Sequence, residues 1–594
     1  MTSEPYEYLS SYSYDEFKFQ KVKTLLSNQA QKVGFKGFNA QFKAYATTLV
    51  KKEQTYYLNN VTTFENQPIE LECGGWKCDD GGISITGFNG TEEYACMHPI
   101  LPTKRLKNVD TGEEKIEIAF CRRGRWQTIV VDKKTISNVQ SITNLSNFGV
   151  CVTSENARLL IKYLSEIEQW NEEKIPEYQC TTRLGWIDNK TFVPYIGDLV
   201  FDGDCEFSSF FNSVIQKGKY IDWFTAAWRI RSESIVGRIV LAASFASCLV
   251  KPLGCLPFFV HLWGGTEVGK TVALMVAASV WADPAMGKYI HTFNSTSVGQ
   301  ERLAIFLNSL PLALDELQIS RSENRKIFDK IIYTLCEGVG RTRGNKSGGI
   351  DKTGTWLNTM ITSGETPIIS ENSGAGAVNR IIEIECKDKI FKEPREIVKF
   401  IKSNYGFAGQ YFVEDFLENE PKVKELYEKY IKDLSETEAT EKQIMAAALI
   451  LTADDFATEM IFKDNQSLTI SDLIPLLVTK NSISSEKRAY EYLCDWISQN
   501  ANKLRPNDSN LDVYGLLEDN TCYIIKSVFD KVLIEANYSP KSVLSYLKTN
   551  DLLICDFHKN TKKQRINKIP TNCVCVKLLS DCAIEFVEDD EIPF

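Results

Sequence analysis

The sequence predicts an α/β protein, with a P-loop core, a β-rich domain before it, and a helical region with a winged-helix outline after it. Three observations predict this. Residues 264–271 read Gly-Gly-Thr-Glu-Val-Gly-Lys-Thr, set between a strand-like apolar run (Leu256–Trp263) and a helix-like apolar run (Val272–Trp281) that stops at Asp283-Pro284. Residues 67–220 carry short alternating runs broken by Gly, Asn and Asp. Residues 392–500 are strongly helical in pattern, and residues 501–594 read helix, helix, then two strand-like runs around a basic turn.

Taken in order, residues 1–66 are rich in Tyr, Phe and Lys, with helical spacing over Phe17–Leu26, and the pattern assigns them no role. In 67–220, the runs Gly82–Thr86, Lys115–Phe120 and Gln127–Val131 alternate as half-buried strands do. A helical segment, Ser154–Trp170, interrupts them. Cys73, Cys78, Cys96 and His98 are candidate zinc ligands. Their spacing, C-x4-C then C-x-H, matches no compact knuckle, and buried thiols with a His ahead of Pro99 are the plainer account. Helices return over Trp223–Val250 and lead into the core, drawn over 221–391. A helical region follows over 392–500, with charged faces around Glu414–Glu436. In 501–594, Ser539-Pro540 opens a helix through Leu547. The strand-like runs Leu552–His558 and Cys573–Leu578 flank the basic turn Lys559–Lys568. That is a winged-helix outline, suited either to duplex DNA or to docking on the core. There is no 20–50-residue repeat and no low-complexity tract.

The chemistry concentrates in the core. A glycine loop between strand and helix offers its amides, and the helix N-terminus, to phosphate oxygens. Gly264, Gly265, Thr266, Glu267, Val268 and Gly269 would form that cradle. Lys270 would reach the β- and γ-phosphates, and Thr271 would offer a hydroxyl to Mg²⁺. The cofactors implied are therefore ATP and Mg²⁺. Leu310–Glu316 reads as a short apolar strand ending in two carboxylates. Asp315 can hold the Mg²⁺ shell, and Glu316 can orient and deprotonate an attacking water. An adjacent Asp-Glu pair favours hydrolysis over phosphoryl transfer to a metabolite.

Further on, the amphipathic stretch Asn324–Leu335 leads to Gly338–Gly349, which breaks regularity with glycine and positive charge. Such a hairpin suits a phosphodiester backbone, with Arg341, Arg343 and Lys346 as the contacts. Trp356–Gly364 reads as another core strand, at whose end Thr362 or Ser363 can hold the hydrolytic water. Arg380 stands alone at the head of the alternating strand Ile381–Glu385, where an arginine finger reaching a neighbour's γ-phosphate would stand.

Composition bounds the rest. At 594 residues the chain is too long for one core. The N-terminus carries Glu4, Glu7, Asp15 and Glu16 without an apolar core, so no signal peptide is expected. The run Ile239–Val250 is too short to span a bilayer and reads as a buried helix. Seventeen scattered cysteines beside a nucleotide site fit buried thiols in a reducing cytosol. The net charge of −10 argues against a wholly basic nucleic-acid coat. Local excesses matter more: residues 321–352 hold eight Lys/Arg against four Asp/Glu, and residues 541–568 hold seven against two.

The order of these parts resembles the AAA+ core of mini-chromosome-maintenance-type helicases. More closely, the chain resembles a prophage and mobile-element ATPase family, domain of unknown function 927, which includes replicative helicases of staphylococcal cassette and pathogenicity-island elements. The resemblance is carried by Ala95–Pro102, Asn108–Gly112, Leu184–Trp186, His261–Gly265, Leu314–Glu316 and Asn404–Gly406, over roughly residues 90 to 410. It implies nucleotide and metal roles for Lys270 and Thr271, a metal role for Asp315 and a base role for Glu316. It makes Thr362 or Ser363 the sensor, Arg380 the finger and Lys346 part of a pore hairpin. It also implies an ATP-dependent replicative DNA helicase acting as a homo-hexamer. Its partners would be single-stranded or forked DNA and other replication proteins of the element, with no membrane. A second arginine sensor is not apparent, and Lys442 is a poor candidate. Two rival readings stand beside this one: a nucleotide-switched regulator or assembly factor, and a helicase-primase, for which no zinc-ribbon or clustered acidic primase motif is visible.

Overall fold

A computed structural model describes residues 3–578 apart from 57–59, 88–90, 203–204, 294–295, 318–330, 345–352, 370–374, 481–483, 505–511, 537 and 557–558. The chain is mixed α/β and divides into two units, Met1–Thr182 with Asp198–Asp204, and Arg183–Gly197 with Cys205–Phe594.

The first unit opens with helices Glu4–Ser10, Glu16–Lys32 and Phe38–Tyr56, which bury Leu9, Phe19, Phe38 and Phe42 together. A three-stranded antiparallel sheet follows, Trp76–Asp79, Gly82–Thr86 and Glu92–Cys96. A five-stranded sheet runs in the order Val200–Phe201, Glu177–Thr181, Ile100–Asn108, Glu114–Arg122, Arg125–Asp132. The helix Ala157–Trp170 lays Leu160, Tyr163, Leu164 and Ile167 into the same core, and the Tyr163 hydroxyl donates to Ile100 O at 2.8 Å. The three alternating runs read from the sequence all lie within strands, because each packs apolar residues against the core.

The candidate zinc cluster does not form. His98 Nε2 accepts the Cys151 N–H at 2.9 Å, and Nδ1 lies 3.0 Å from Pro99 O. Both ring nitrogens are therefore committed to backbone, and burial pushes the imidazole below its ordinary pKa. Among the described residues no group of His, Cys, Asp or Glu is arranged to hold a metal ion.

Residues 183–197 and 205–220 fall in the second unit, although the sequence drew one β-rich domain over 67–220. Contacts of the second unit hold them. The Trp186 indole N–H donates to Cys248 O at 2.7 Å, and a Cβ on Gly185 would stand 2.7 Å from the Ser309 Cβ. The helices expected over Trp223–Val250 are α1 (Tyr220–Glu233) and α2 (Ile235–Leu249). Ser234 is extended, and its side chain caps α2 by accepting the Gly237 N–H. The apolar run from Ile239 is buried in α2, as expected.

The core sheet comprises β1 (Phe258–Trp263), β2 (His291–Thr292), β3 (Leu312–Leu317), β4 (Thr359–Gly364) and β5 (Ile381–Glu385). All are parallel, in the order β2-β3-β4-β1-β5. Helix α3 (Lys270–Ser279) follows β1, and α4 (Ser297–Leu307) precedes β3. Parallel strands need both faces covered, which is why β1 reads as an almost continuous apolar run and all six residues of β4 are buried. Helices α5 (Pro394–Ser403), α6 (Ala408–Ser435) and α7 (Glu441–Ala457) come next, and α6 kinks at Asn419, ahead of Pro421. Arg231 of α1 is fully buried, paired to Asp454 of α7 and to Asp464 beyond it, with its guanidinium 4.4 Å from the Phe462 ring centre.

The C-terminal region has helices Ser485–Gln499, Lys526–Glu535 and Pro540–Thr549 around their own apolar core. The helix expected from Ser539-Pro540 is there, with Ser539 as its cap. Leu552–His558 shrinks to the strand Leu553–Ile554, and His558 lies outside the described residues. The expected basic turn is instead a hairpin: Lys562–Ile566 pairs with Ile569–Lys577 across Asn567 and Lys568, whose φ angles of 49° and 68° suit a tight reversal. Strands Gly515–Glu518 and Thr521–Ile525 were not expected. Among the described residues no helix is long and apolar enough to cross a membrane.

Candidate nucleotide-binding site

The P-loop leaves β1 at the carboxyl edge of the sheet, where ligands of open parallel sheets bind. Gly264 has φ 141°, and a Cβ there would come within 2.6 Å of Cys386 O. Glycine is needed because the loop turns directly against the residue that follows β5. Gly269 caps α3 with φ 101° and no side-chain capping bond. The first amides of α3 are therefore not spent on a capping side chain. Lys270 curls its ammonium back under the loop, 2.8 Å from Gly264 O and 2.5 Å from Gly265 O.

These residues open onto a cleft of about 640 Å³. Thr266, Glu267, Gly269, Lys270 and Thr271 line one side, and Asp315, Glu316, Ser363, Gly364 and Glu365 another. Val268 is turned the other way, its carbonyl accepting the Ile390 N–H at 2.8 Å. The fold thus brings together the loop and the carboxylate strand, 45 residues apart (315 − 270).

Asp315 is nearly buried, and its Oδ1 accepts bonds from the Ser363 hydroxyl and, at 3.0 Å, from the Glu316 N–H. Glu316 is exposed at the cleft with φ 61°, at the point where the β3–β4 register shifts. A non-glycine residue held in the left-handed region costs on the order of 1 kcal/mol and persists only where the surroundings impose it. The bulge turns Glu316 out of the alternation, so both adjacent carboxylates reach one cleft.

Thr362 does not join them. Strand alternation puts it on the face opposite Ser363. Its Oγ1 lies 2.9 Å from His261 Nδ1, and His261 Nε2 lies 3.1 Å from Thr366 O. Burial lowers the His261 pKa to about 4, so this ring is neutral and structural. Of the two sensor candidates, only Ser363 faces the cleft.

One residue was missed in the sequence. Arg395, in the first turn of α5, lines the cleft with Pro394 and Val398. The start signal Glu393-Pro394 was legible, but no pattern says that this helix end faces a strand edge more than a hundred residues earlier. Arg229 of α1 holds that helix start through Glu393, at 2.5 Å, and Glu396, at 3.2 Å.

Arg380 lies at the other end of the sheet. Its carbonyl accepts the Phe259 N–H, whereas the cleft opens beyond Trp263. The four residue steps from Ile381 to Glu385 along β5 separate them by about 13 Å. Arg380 Nε and Nη1 are buried without a hydrogen-bond partner among the described residues.

The basic segment has a hairpin stem. Gly340 N–H donates to Gly354 O at 2.8 Å, Trp356 N–H donates to Gly338 O at 2.9 Å, and Val339 bridges Thr355 antiparallel. Glu301 of α4, almost fully buried, accepts the Arg341 N–H at 2.8 Å and the Arg343 guanidinium at 2.7 Å. Arg343 thus braces the stem, although its side chain, like that of Arg341, is exposed. Lys346 lies outside the described residues.

The donor set fits a magnesium nucleotide. Thr271 and Asp315 supply hard oxygen ligands of the kind Mg²⁺ prefers. Lys270 and the amides at the start of α3 supply the charge that phosphates need. A nucleotide held there would bring the γ-phosphate and divalent charge, and Glu316 would hold the attacking water and take its proton.

Residues 73–356 match the family described as a domain of unknown function, DUF927, and residues 484–581 match the Cch helix-turn-helix domain. The solved structure of SCCmec type IV Cch, an active helicase, shares the fold: TM-score 0.64 at 17% identity, covering 86% of this chain and 98% of that one. The NrS-1 C-terminal region aligns over 80% of this chain and 96% of that one at 10% identity, but its TM-score of 0.31 carries no weight. No curated protein matches the chain. Residues 73–356 therefore belong to the DUF927 family, and the chain joins that domain to a Cch helix-turn-helix domain.

Proposed function

We propose that this protein is an ATP-driven replicative DNA helicase of a mobile element, built on an AAA+ core with a C-terminal winged helix and working as a homo-hexamer in the cytoplasm. The observation that carries this reading is the placement of Arg380. It stands at the end of the sheet opposite its own cleft, with Nε and Nη1 lacking partners among the described residues. A cation so placed serves a neighbour's γ-phosphate, and a closed ring gives every cleft such a neighbour. The anchored basic hairpin supports DNA as the track, with Arg341 and Lys346 as contacts. Thr271 and Asp315 hold Mg²⁺, Glu316 is the base, Ser363 positions the water and Arg395 completes the phosphate site in cis. The test is the ATPase rate with and without single-stranded DNA, paired with a sizing run in nucleotide. Stimulation by DNA and a nucleotide-dependent ring are expected. An ATPase indifferent to DNA would replace the motor with a nucleotide-switched regulator.

A further inference from the structure

From residue 17 to residue 52 the chain carries eight lysines and no Asp or Glu, although the whole chain has a net charge of −10. This block lies on the second and third helices of the first unit, outside the core that the cleft and hairpin use. The inner face of Glu16–Lys32 is settled by packing: Phe19 is buried, and Val22 and Leu26 pack beside it. The outer face follows from the helical period. Phe17, Lys21, Leu25 and Lys32 stand along it, Phe17 at 79% and Leu25 at 56% exposure. Lys36, in the connection, and Lys43, on the next helix, are exposed too. Lys21, Lys32, Lys36 and Lys43 make no ion pair among the described residues, whereas Lys18 has Asp15 at 3.2 Å. Exposed cations usually find carboxylates nearby. Here the sequence has removed them for 36 residues (52 − 17 + 1) and left an aromatic ring and a leucine outward among the charges.

We infer that this helical face binds single-stranded DNA, the lysines following the phosphates while Phe17 and Leu25 take unstacked bases. A basic surface with interleaved aromatic side chains is how sequence-tolerant single-strand binding works, because every base has a face to stack. Duplex DNA hides its base faces and would leave Phe17 and Leu25 in water. The inference rests on the reading of the chain as a DNA motor, and it adds a contact surface distinct from the hairpin.

The test uses the full chain and a labelled oligothymidylate titrated at several salt concentrations. A variant with Lys21, Lys32, Lys36 and Lys43 each changed to Glu is expected to bind at least about tenfold more weakly, with a salt slope shallower by about 0.7 per lost phosphate contact. A second variant with the same lysines changed to Gln should lose part of this and guards against misfolding by charge reversal. Phe17→Ala should weaken binding and leave the salt slope unchanged. ATPase without DNA should be unaltered in all three. The surface is refuted if the unmodified chain binds oligothymidylate and the Gln and Glu variants bind it with the same affinity and slope. It is refuted equally if the variants lose only affinity for phosphatidylserine vesicles, which would make the face a membrane contact. The motor reading fails separately, when DNA does not stimulate the ATPase of the unmodified chain.

Discussion

Ser363 donates its hydroxyl hydrogen bond to Asp315 Oδ1, tying β4 to β3 at the floor of the cleft. Its strand neighbour Thr362 faces His261 instead. Ser363→Ala should therefore keep nucleotide binding and slow hydrolysis by on the order of 10²-fold, approaching Glu316→Gln, which removes the base. Thr362→Val should hydrolyse ATP nearly normally yet lose about 1–3 kcal/mol of stability, because His261 Nδ1 is left unpartnered in the interior. Single-turnover ATPase and urea unfolding on the two variants separate the roles. Equal rates in both would sink the assignment of Ser363.

Arg380 should act across a subunit boundary. Arg380→Ala is expected to bind ATP normally and hydrolyse it about 10³-fold more slowly. Lys270→Ala should weaken binding and chemistry together. Mixed after confirmed subunit exchange, the two should recover some ATPase, since some interfaces pair an intact P-loop with an intact finger. A response that stays at zero across all mixing ratios would place Arg380 in cis or in a structural role.

The hairpin should couple DNA to the ATPase without joining the chemistry. Changing Arg341 and Lys346 to Ala should remove DNA stimulation and unwinding, spare basal turnover, and shallow the salt dependence by about one unit per lost contact. Glu301→Gln tests the anchor. It keeps shape but loses the ion pair with Arg343 at 2.7 Å, so DNA stimulation should fall while basal turnover holds. If unwinding survives both changes, the loop is only solvated charge.

Acid should destabilise the protein partly through His261. Its folded pKa is depressed to about 4 by burial, whereas an unfolded histidine titrates near 6.5. Between those values the unfolded chain takes up the proton and the folded one does not, so stability falls as pH drops from 6.5 towards 4 and levels below that. The loss from this group between pH 7 and pH 5 is about 2 kcal/mol. Urea midpoints at the two pH values should show a smaller difference in His261→Gln than in the unmodified chain. An unchanged difference would mean that the imidazole is already charged when folded.

The glycine loop, the carboxylate pair and most strands were legible because they rest on local rules. Glycines at fixed offsets, Pro at helix starts and period-two alternation act within a few residues. Even there, packing moved the boundaries. Trp356 was read as part of β4 but pairs with Gly338 in the hairpin stem. The stretch Asn324–Leu335 lies mostly outside the described residues, which are helical only from 331 to 337.

By itself, then, the sequence determined the α/β class, the glycine loop of Gly264–Thr271, the adjacent Asp315 and Glu316, and the apolar faces, since each needs only short-range backbone and side-chain preference. Tertiary structure alone decided the rest. It selected Ser363 over Thr362, because which face of β4 meets the cleft depends on β3 beside it. It turned Glu316 outward through a bulge that exists only against β4. It brought Arg395 to the cleft, carried Arg380 away from it to the opposite end of the sheet, and gave Arg343 to Glu301. Each of these is a meeting of residues far apart in sequence, fixed by strand order and helix packing, and no local preference encodes such a distance.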